Sequence, residues 1–138
     1  MKWTRDNYLV TTALSEFDMD FVVSSLQLQW RRGAGRERIE KAFEGSLSFG
    51  VFDRARQIGY VRAVTDRCFV SWICDLFLEP AYRGRGLGKW LMECVMSHPD
   101  LVHTRLVLSS VPKYQAFYER LGFSPMERGY SRIPNRPG

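Results

Sequence analysis

Arg83-Gly84-Arg85-Gly86-Leu87-Gly88-Lys89 stands between a hydrophobic run, Trp72 to Leu78, and a segment with helical spacing. Glu79-Pro80-Ala81-Tyr82 bridges the run to this turn. After it, Leu87, Trp90, Leu91, Cys94 and Val95 fall at relative positions 0, 3, 4, 7 and 8, which predicts an amphipathic helix. Gly84, Gly86 and Gly88 alternate, and without Cβ atoms the main chain can approach a ligand closely. The first N–H groups of a helix have no partners within it and lie at the positive end of its dipole. Strand, glycine turn and helix start together make an anion cradle suited to phosphate.

Two nucleotide signatures fail here. A Walker A loop needs Gly at Arg83 and Ser or Thr at Trp90; a Rossmann fingerprint needs Gly at Lys89. The pattern that fits is Arg/Gln-x-x-Gly-x-Gly/Ala, met by Arg83, Gly86 and Gly88. It resembles the pyrophosphate-binding motif of the GNAT superfamily of acetyl-CoA-dependent N-acetyltransferases. Leu78-Glu79-Pro80 resembles the strand end that precedes that motif in the family, and Ala116-Phe117-Tyr118-Glu119-Arg120-Leu121-Gly122-Phe123 resembles its other landmark helix. Phe49-Gly50-Val51-Phe52, Gln57 to Arg62 and His98-Pro99-Asp100-Leu101 extend the similarity to small bacterial members, over roughly residues 45 to 125. One departure is Lys113-Tyr114-Gln115-Ala116-Phe117, where that group commonly reads Asp-Ala-His-Gly-Leu, so acceptor identity does not carry over from relatives.

The coarse element order is α/β: strand, two helices, three strands, helix, strand, helix, strand. Tyr8–Thr12 reads as the first strand, and Asp18 to Trp30 as a helix capped by Asp18. Arg36 to Glu44 forms a short second helix with Ile39 and Phe43 inward. Ser46–Asp53 and Gln57–Asp66 make a hairpin, followed by the apolar strand Phe69–Leu78. The helix from the glycine turn runs to about Ser97, a strand spans Arg105–Ser109, and Lys113–Leu121 is the last helix, ended by Gly122. Residues 124–133 are expected to add a final strand, and Pro134–Gly138 to fray. The resemblance implies the GNAT fold: one domain over residues 1–138, a mixed, mostly antiparallel sheet of six to seven strands splayed between the fourth and fifth, and about four helices.

Composition excludes several classes. Hydrophobic content of 45% and charged content of 25% are those of a globular domain. No apolar run approaches the roughly 20 residues of a membrane span, and the charged N-terminus lacks a signal-peptide core. Cys68, Cys74 and Cys94 are odd in number and unclustered; they read as buried free thiols in a reducing cytoplasm, with no spacing for a metal. The net charge of +5 invites nucleic acid, but arginine is spread along the chain and no basic module appears. A polyanionic cofactor also calls for positive charge, which Arg83, Arg85 and Lys89 supply.

The resemblance implies acetyl-CoA as cofactor, held by Arg83 through Lys89, with Leu76, Phe77 and Leu78 meeting the pantetheine arm through their main chain. Tyr118 aligns with the family's tyrosine that protonates the departing thiolate. A phenol suits that transfer, since its pKa near 10 is similar to a thiol's. Tyr114, Phe117, Tyr118 and Leu121 also form an apolar helical stripe, which would equally suit a core aromatic. Asp75, in an apolar strand, is the candidate base, or else a carboxylate that pairs with an arginine or caps a backbone group. Alternation places it on the side of Ile73 and Phe77. His98 and His103 read as surface residues. Trp30 and Arg31, in a basic loop that reads first as solvated, occupy the stretch that shapes the family's acceptor pocket. They would suit a carboxylate-bearing acceptor.

The function expected is therefore acetyl transfer to a primary amine of a small-molecule or amino-acid-like acceptor. The alternative is a non-catalytic acyl-CoA-binding regulatory module on the same fold. A homodimer is compatible with the superfamily, where dimers are frequent.

Overall fold

The computed structural model describes residues 1–134, so the fraying expected of Pro134–Gly138 lies, from residue 135 on, outside the described residues. Six strands form one sheet in chain order: β1 Lys2–Arg5, β2 Tyr8–Thr11, β3 Leu47–Asp53, β4 Arg56–Thr65, β5 Val70–Leu78 and β6 Arg105–Val107. Neighbours are antiparallel through β5, and β5 pairs β6 in parallel. Four helices cover the sheet: α1 Met19–Gln29, α2 Arg36–Glu44, α3 Leu87–Ser97 and α4 Gln115–Arg120.

Local chemistry fixes the helix ends. The Asp18 carboxylate accepts from the Phe21 N–H at 3.1 Å, capping α1 as its sequence predicts. At the end of α4, the N–H of Gly122 donates to Glu119 and that of Phe123 to Tyr118, with Gly122 at φ 95°. This pair of bonds is a Schellman closure, which requires the left-handed residue.

The helices divide the core in two. Val22, Leu26, Ile39 and Phe43 of α1 and α2 pack with Phe52, Tyr60 and Phe77 on one face of the sheet. Leu87, Leu91, Cys94 and Val95 of α3 pack with Phe49, Val51, Val61, Ile73 and Leu78 on the other. β3 is buried along nearly its whole length because it lies between the two layers.

Two irregularities in β5 set up the site. Tyr60 pairs with Phe77 and Arg62 with Cys74, so Val61 faces both Asp75 and Leu76. This is a β-bulge, with Asp75 in the left-handed region at φ 60°. The extra residue breaks the alternation read from sequence: Ile73 and Phe77 lie on opposite faces, in different core layers. On its other edge β5 pairs β6 only through Val70–Arg105, Ser71–Leu106 and Trp72–Val107. From Ile73 to Leu78 the two strands diverge. β5 and β6 are the fourth and fifth strands expected from sequence, renumbered by an additional N-terminal strand.

That additional strand and the missing last one are the corrections to the expected topology. Lys2–Arg5 forms a hairpin with β2 across Asp6 and Asn7, although three of its four residues are exposed. Residues 124–133 form no strand. Pro125 lacks a donor and Glu127-Arg128-Gly129 offers no alternation, so nothing there competes for the β6 edge. A groove of about 460 Å³, lined by Leu106, Leu108, Phe123 and Met126 among others, runs along that edge.

Two side chains also depart from expectation. Cys68 is exposed rather than buried, in the turn before β5. His98 is 7% exposed, packed against the rings of Trp3 and Phe49, and its Nδ1 accepts from the Asp100 N–H at 3.0 Å. Its ring is thus a core element that ties α3 to the first hairpin. His103 is exposed, as expected.

A Cβ on Gly59 would come within 2.5 Å of the Phe77 carbonyl oxygen and 3.0 Å of Val51 Cγ1. Gly59→Ala should therefore destabilise the protein by about 1–3 kcal/mol, the usual cost of overpacking, measured by denaturant unfolding. Burial lowers the pKa of His98 from 6.5, so the unfolded chain takes up the proton first. The stability from neutral His98 is full above about pH 6.5 and is lost as pH falls through the folded-state value. Thermal midpoints should drop between pH 7.5 and 5, and His98→Asn, which keeps an acceptor for the Asp100 N–H, should flatten that slope.

Candidate functional site

The divergence of β5 and β6 opens a cavity of about 780 Å³. Its wall includes Ile73 to Leu78, whose edge facing β6 has no ladder partner. Its other contributors are the glycine turn, the segment Leu108–Val111, α4, and the end of α1 with Trp30 and Arg31. Thus Asp75, Leu76, Phe77, Leu78, Arg83, Gly84, Gly86, Leu87, Gly88, Lys89 and Tyr118 meet in one space with Trp30 and Arg31. Arg85 is the exception among the expected residues. Its guanidinium stacks over the Tyr82 ring at 5.3 Å and lies 3.5 Å from the Tyr8 hydroxyl, outside the cavity lining.

The glycine turn has the form of an anion cradle. Gly84 and Gly86 have φ of 80° and 77°, where a side chain is strained, and a Cβ on either would point into open space. Gly86 caps α3 with no side-chain bond, and the helix ladder begins with the Trp90 N–H donating to Gly86. Among the described residues, no main-chain N–H from Gly84 to Lys89 has an acceptor. Such a row of donors is left to solvent or to an anion. Gly88 differs from both: its φ is not in the left-handed region, and a Cβ there would meet the Phe117 ring at an ordinary contact of 3.7 Å. Arg83 braces the wall: its Nε donates to the Leu78 carbonyl at 2.9 Å and its guanidinium lies over the Phe77 ring.

Tyr118 stands between Phe117 and Phe123, with ring centroids 5.0 and 5.9 Å away. Its hydroxyl has no hydrogen-bond partner among the described residues, yet no buried polar side-chain atom is left unsatisfied, so the hydroxyl is accessible. Burial of the ring, with a smaller contribution from Tyr114, raises its pKa above 10. The phenol is therefore a proton donor throughout the neutral range.

Asp75 is not a free carboxylate. Its side chain is 5% exposed, Oδ2 accepts from Arg62 Nε at 2.7 Å, and Oδ1 accepts from Arg31 Nε at 3.1 Å. Both oxygens are committed to guanidinium donors, the arginine-paired alternative among the sequence readings. No sequence signal marked Arg62 as part of the site, because its partner lies across a bulge that strand alternation does not anticipate. Cys74, beside it on the cavity wall, was also unmarked; burial raises its thiol pKa.

Among the described residues there is no group of His, Cys, Asp and Glu fit to hold a metal ion, and no helix long and apolar enough to cross a membrane.

Residues 44–125 match the family profile described as the acetyltransferase (GNAT) domain. The crystal structure of a protein from Xanthomonas campestris pv. campestris, titled a putative acetyltransferase belonging to the GNAT family, is 32% identical in sequence. The match covers 89% of this chain and 93% of that one, with a TM-score of 0.82. An acetyltransferase of the same provisional naming from Gibberella zeae is 26% identical, over 87% of this chain and 81% of its own length. The ycf52-like N-acetyltransferase of Prochlorococcus marinus, named uncharacterized, is 35% identical over 72% of this chain, which spans 58% of that relative.

Proposed function

This chain belongs to the GNAT family and is an N-acetyltransferase, and from its cavity we propose that it transfers the acetyl group of acetyl-CoA to a primary amine of a small-molecule or amino-acid-like acceptor. The observation that carries the reading is the single cavity shared by the donor-rich glycine turn, the accessible Tyr118 hydroxyl and the Trp30–Arg31 corner. GNAT enzymes as a family use acetyl-CoA; the free N–H groups of residues 84–89 suit its pyrophosphate, and Lys89 adds charge at the same turn. Along the β6-facing edge of residues 76 to 78, the main-chain groups other than the Leu78 carbonyl, which accepts from Arg83 Nε, suit the amide-containing arm of such a cofactor.

Bound along the glycine turn and the open edge of β5, acetyl-CoA would supply an acetyl group activated as a thioester for direct attack by the neutral amine. The residues divide the remaining work. Main-chain N–H groups on the open edge of β5 polarise the reacting carbonyl, as an oxyanion hole does. The Tyr118 hydroxyl would protonate the departing thiolate and recover its proton from solvent. Loss of the amine's proton runs to solvent water, because Asp75 already accepts from two arginines with both oxygens. Asp75 is thus assigned to positioning rather than to base catalysis, in place of the role expected from sequence.

Titration calorimetry should show CoA binding to the wild-type protein, and Gly86→Val should weaken it at least about tenfold, since a β-branched residue is strained at φ 77° and fills the cradle. Absence of heat with folded wild-type protein would remove the reading. Tyr118→Phe should lower kcat by about 10²–10⁴, the usual contribution of a general acid, while CoA affinity changes less than a few-fold. An unchanged kcat would take the acid role from Tyr118.

A further inference from the structure

Resting on the acetyltransferase reading above, we propose that the acceptor amine carries a carboxylate, and that Arg31 binds this carboxylate while Asp75 acts as its positioning residue. The starting point is a charge count. Asp75 is one buried anion with two guanidinium partners. Arg62 suffices to neutralise it. The Arg62 side chain is 11% exposed, its Nε lies 2.7 Å from Asp75 Oδ2, its Nη1 donates to Ser46 Oγ at 3.0 Å, and it lies over the Phe43 ring. Arg62 is consumed by the protein.

Arg31 is the surplus cation. It is 46% exposed and lines the cavity, and its Nε and Nη2 both rest on the same oxygen, Asp75 Oδ1, each at 3.1 Å. Its Nη1 has no partner among the described residues. A guanidinium held along one edge presents its remaining donors in a fixed plane, the arrangement that reads a carboxylate in two-point fashion. The backbone is also held. The Arg31 N–H donates to Leu26 at 2.8 Å, its carbonyl accepts from Ala34 at 3.0 Å, and Gln27 Nε2 donates to the Ala34 carbonyl at 2.8 Å. A solvated arginine on a loose loop needs none of these restraints.

The rest of the cavity agrees in sign. Its charged lining consists of Arg31, Arg83, Lys89, Arg120 and Asp75, and the one anion is already paired. With Arg83 and Lys89 at the turn that faces the cofactor's pyrophosphate and Asp75 already paired, Arg31 and Arg120 remain as the cations an acceptor meets, which disfavours an amine arriving as a cation without its own anion. Trp30 and Trp72, each more than two-fifths exposed, flank the same corner with aromatic surface. An acceptor with an apolar body and a carboxylate satisfies both features.

The test compares acids with their amides in steady-state acetylation by the whole chain: phenylalanine against phenylalaninamide, leucine against leucinamide, and β-alanine against its amide. The amides' α-amines are less basic and more of them are neutral, so amine protonation biases that comparison against the acids. Acids should show kcat/KM about tenfold to a hundredfold above the amides, the range of a charge-assisted hydrogen bond. Arg31→Gln should raise KM for the acids by the same factor, leave kcat within about twofold, and leave KM for the amides unchanged; Arg31→Lys should restore part of the loss. Thermal midpoints of both variants confirm folding, and the wild-type acid-to-amide ratio needs no variant at all. Equal use of acids and amides, or an equal rise in KM for both in Arg31→Gln, overturns the proposal while leaving the acetyltransferase reading intact. No acetylation of any amine by CoA-binding protein overturns both.

Discussion

The structure turns on the fact that β5 is paired with β4 along one edge, apart from its bulge, and loses its partner on the other edge after Trp72. Every buried main-chain polar group needs a partner, so a strand left unpaired from Ile73 to Leu78 must face water or a ligand there. β4 holds the other edge so tightly that Gly59 cannot carry a Cβ against the Phe77 carbonyl. The two layers of helices then fix the strand from above and below, Phe77 into one and Leu78 into the other. What remains is a rigid, one-sided row of donors and acceptors along a cavity wall. The glycine turn continues that row into α3, where the donors gain the helix dipole.

Charge is distributed along this cavity with an economy of anions. Arg83 is turned onto the Leu78 carbonyl and Arg62 onto Asp75, so both strengthen the walls. Arg85, outside the lining, packs on Tyr82. Main-chain amides, Arg31, Arg120 and Lys89, the last 3.6 Å from Glu93 Oε1, are left as the groups that face the interior. The net charge of +5 therefore needs no nucleic-acid partner to account for its placement near the site.

Much of this was legible in the residues. The turn at Arg83–Lys89, the helix it opens and the Tyr118 helix with its Gly122 end are all local, and local spacing carried them. Features that depend on distant partners were not. Lys2–Arg5 carries no apolar alternation and becomes a strand because β2 offers it a free edge. His98 sits after a helix, where a histidine reads as solvated, and only the hairpin packing across it makes it core. The strand expected over residues 124–133 failed for the opposite reason: β6 is three residues long and gives little ladder to join. That Arg62 partners Asp75, and which face Asp75 takes, were hidden by one backbone residue in the left-handed region, which Asp tolerates and which no periodicity announces.

That single residue gives β5 two reading frames. Upstream of Asp75 the even-numbered side chains, Trp72 and Cys74, face the Trp30–Arg31 corner; downstream, Leu76 and Leu78 look the other way, toward the α3 layer. Deleting one amino acid at the kink would merge the frames into a regular ribbon and exchange the strand's inner and outer faces beyond that point. Phe77 would leave its aromatic cluster, and the acid now gripped by two arginines would have no seat. The kink is thus the hinge of a division of labour, letting one continuous strand serve two compartments whose contents must meet but must not be confused.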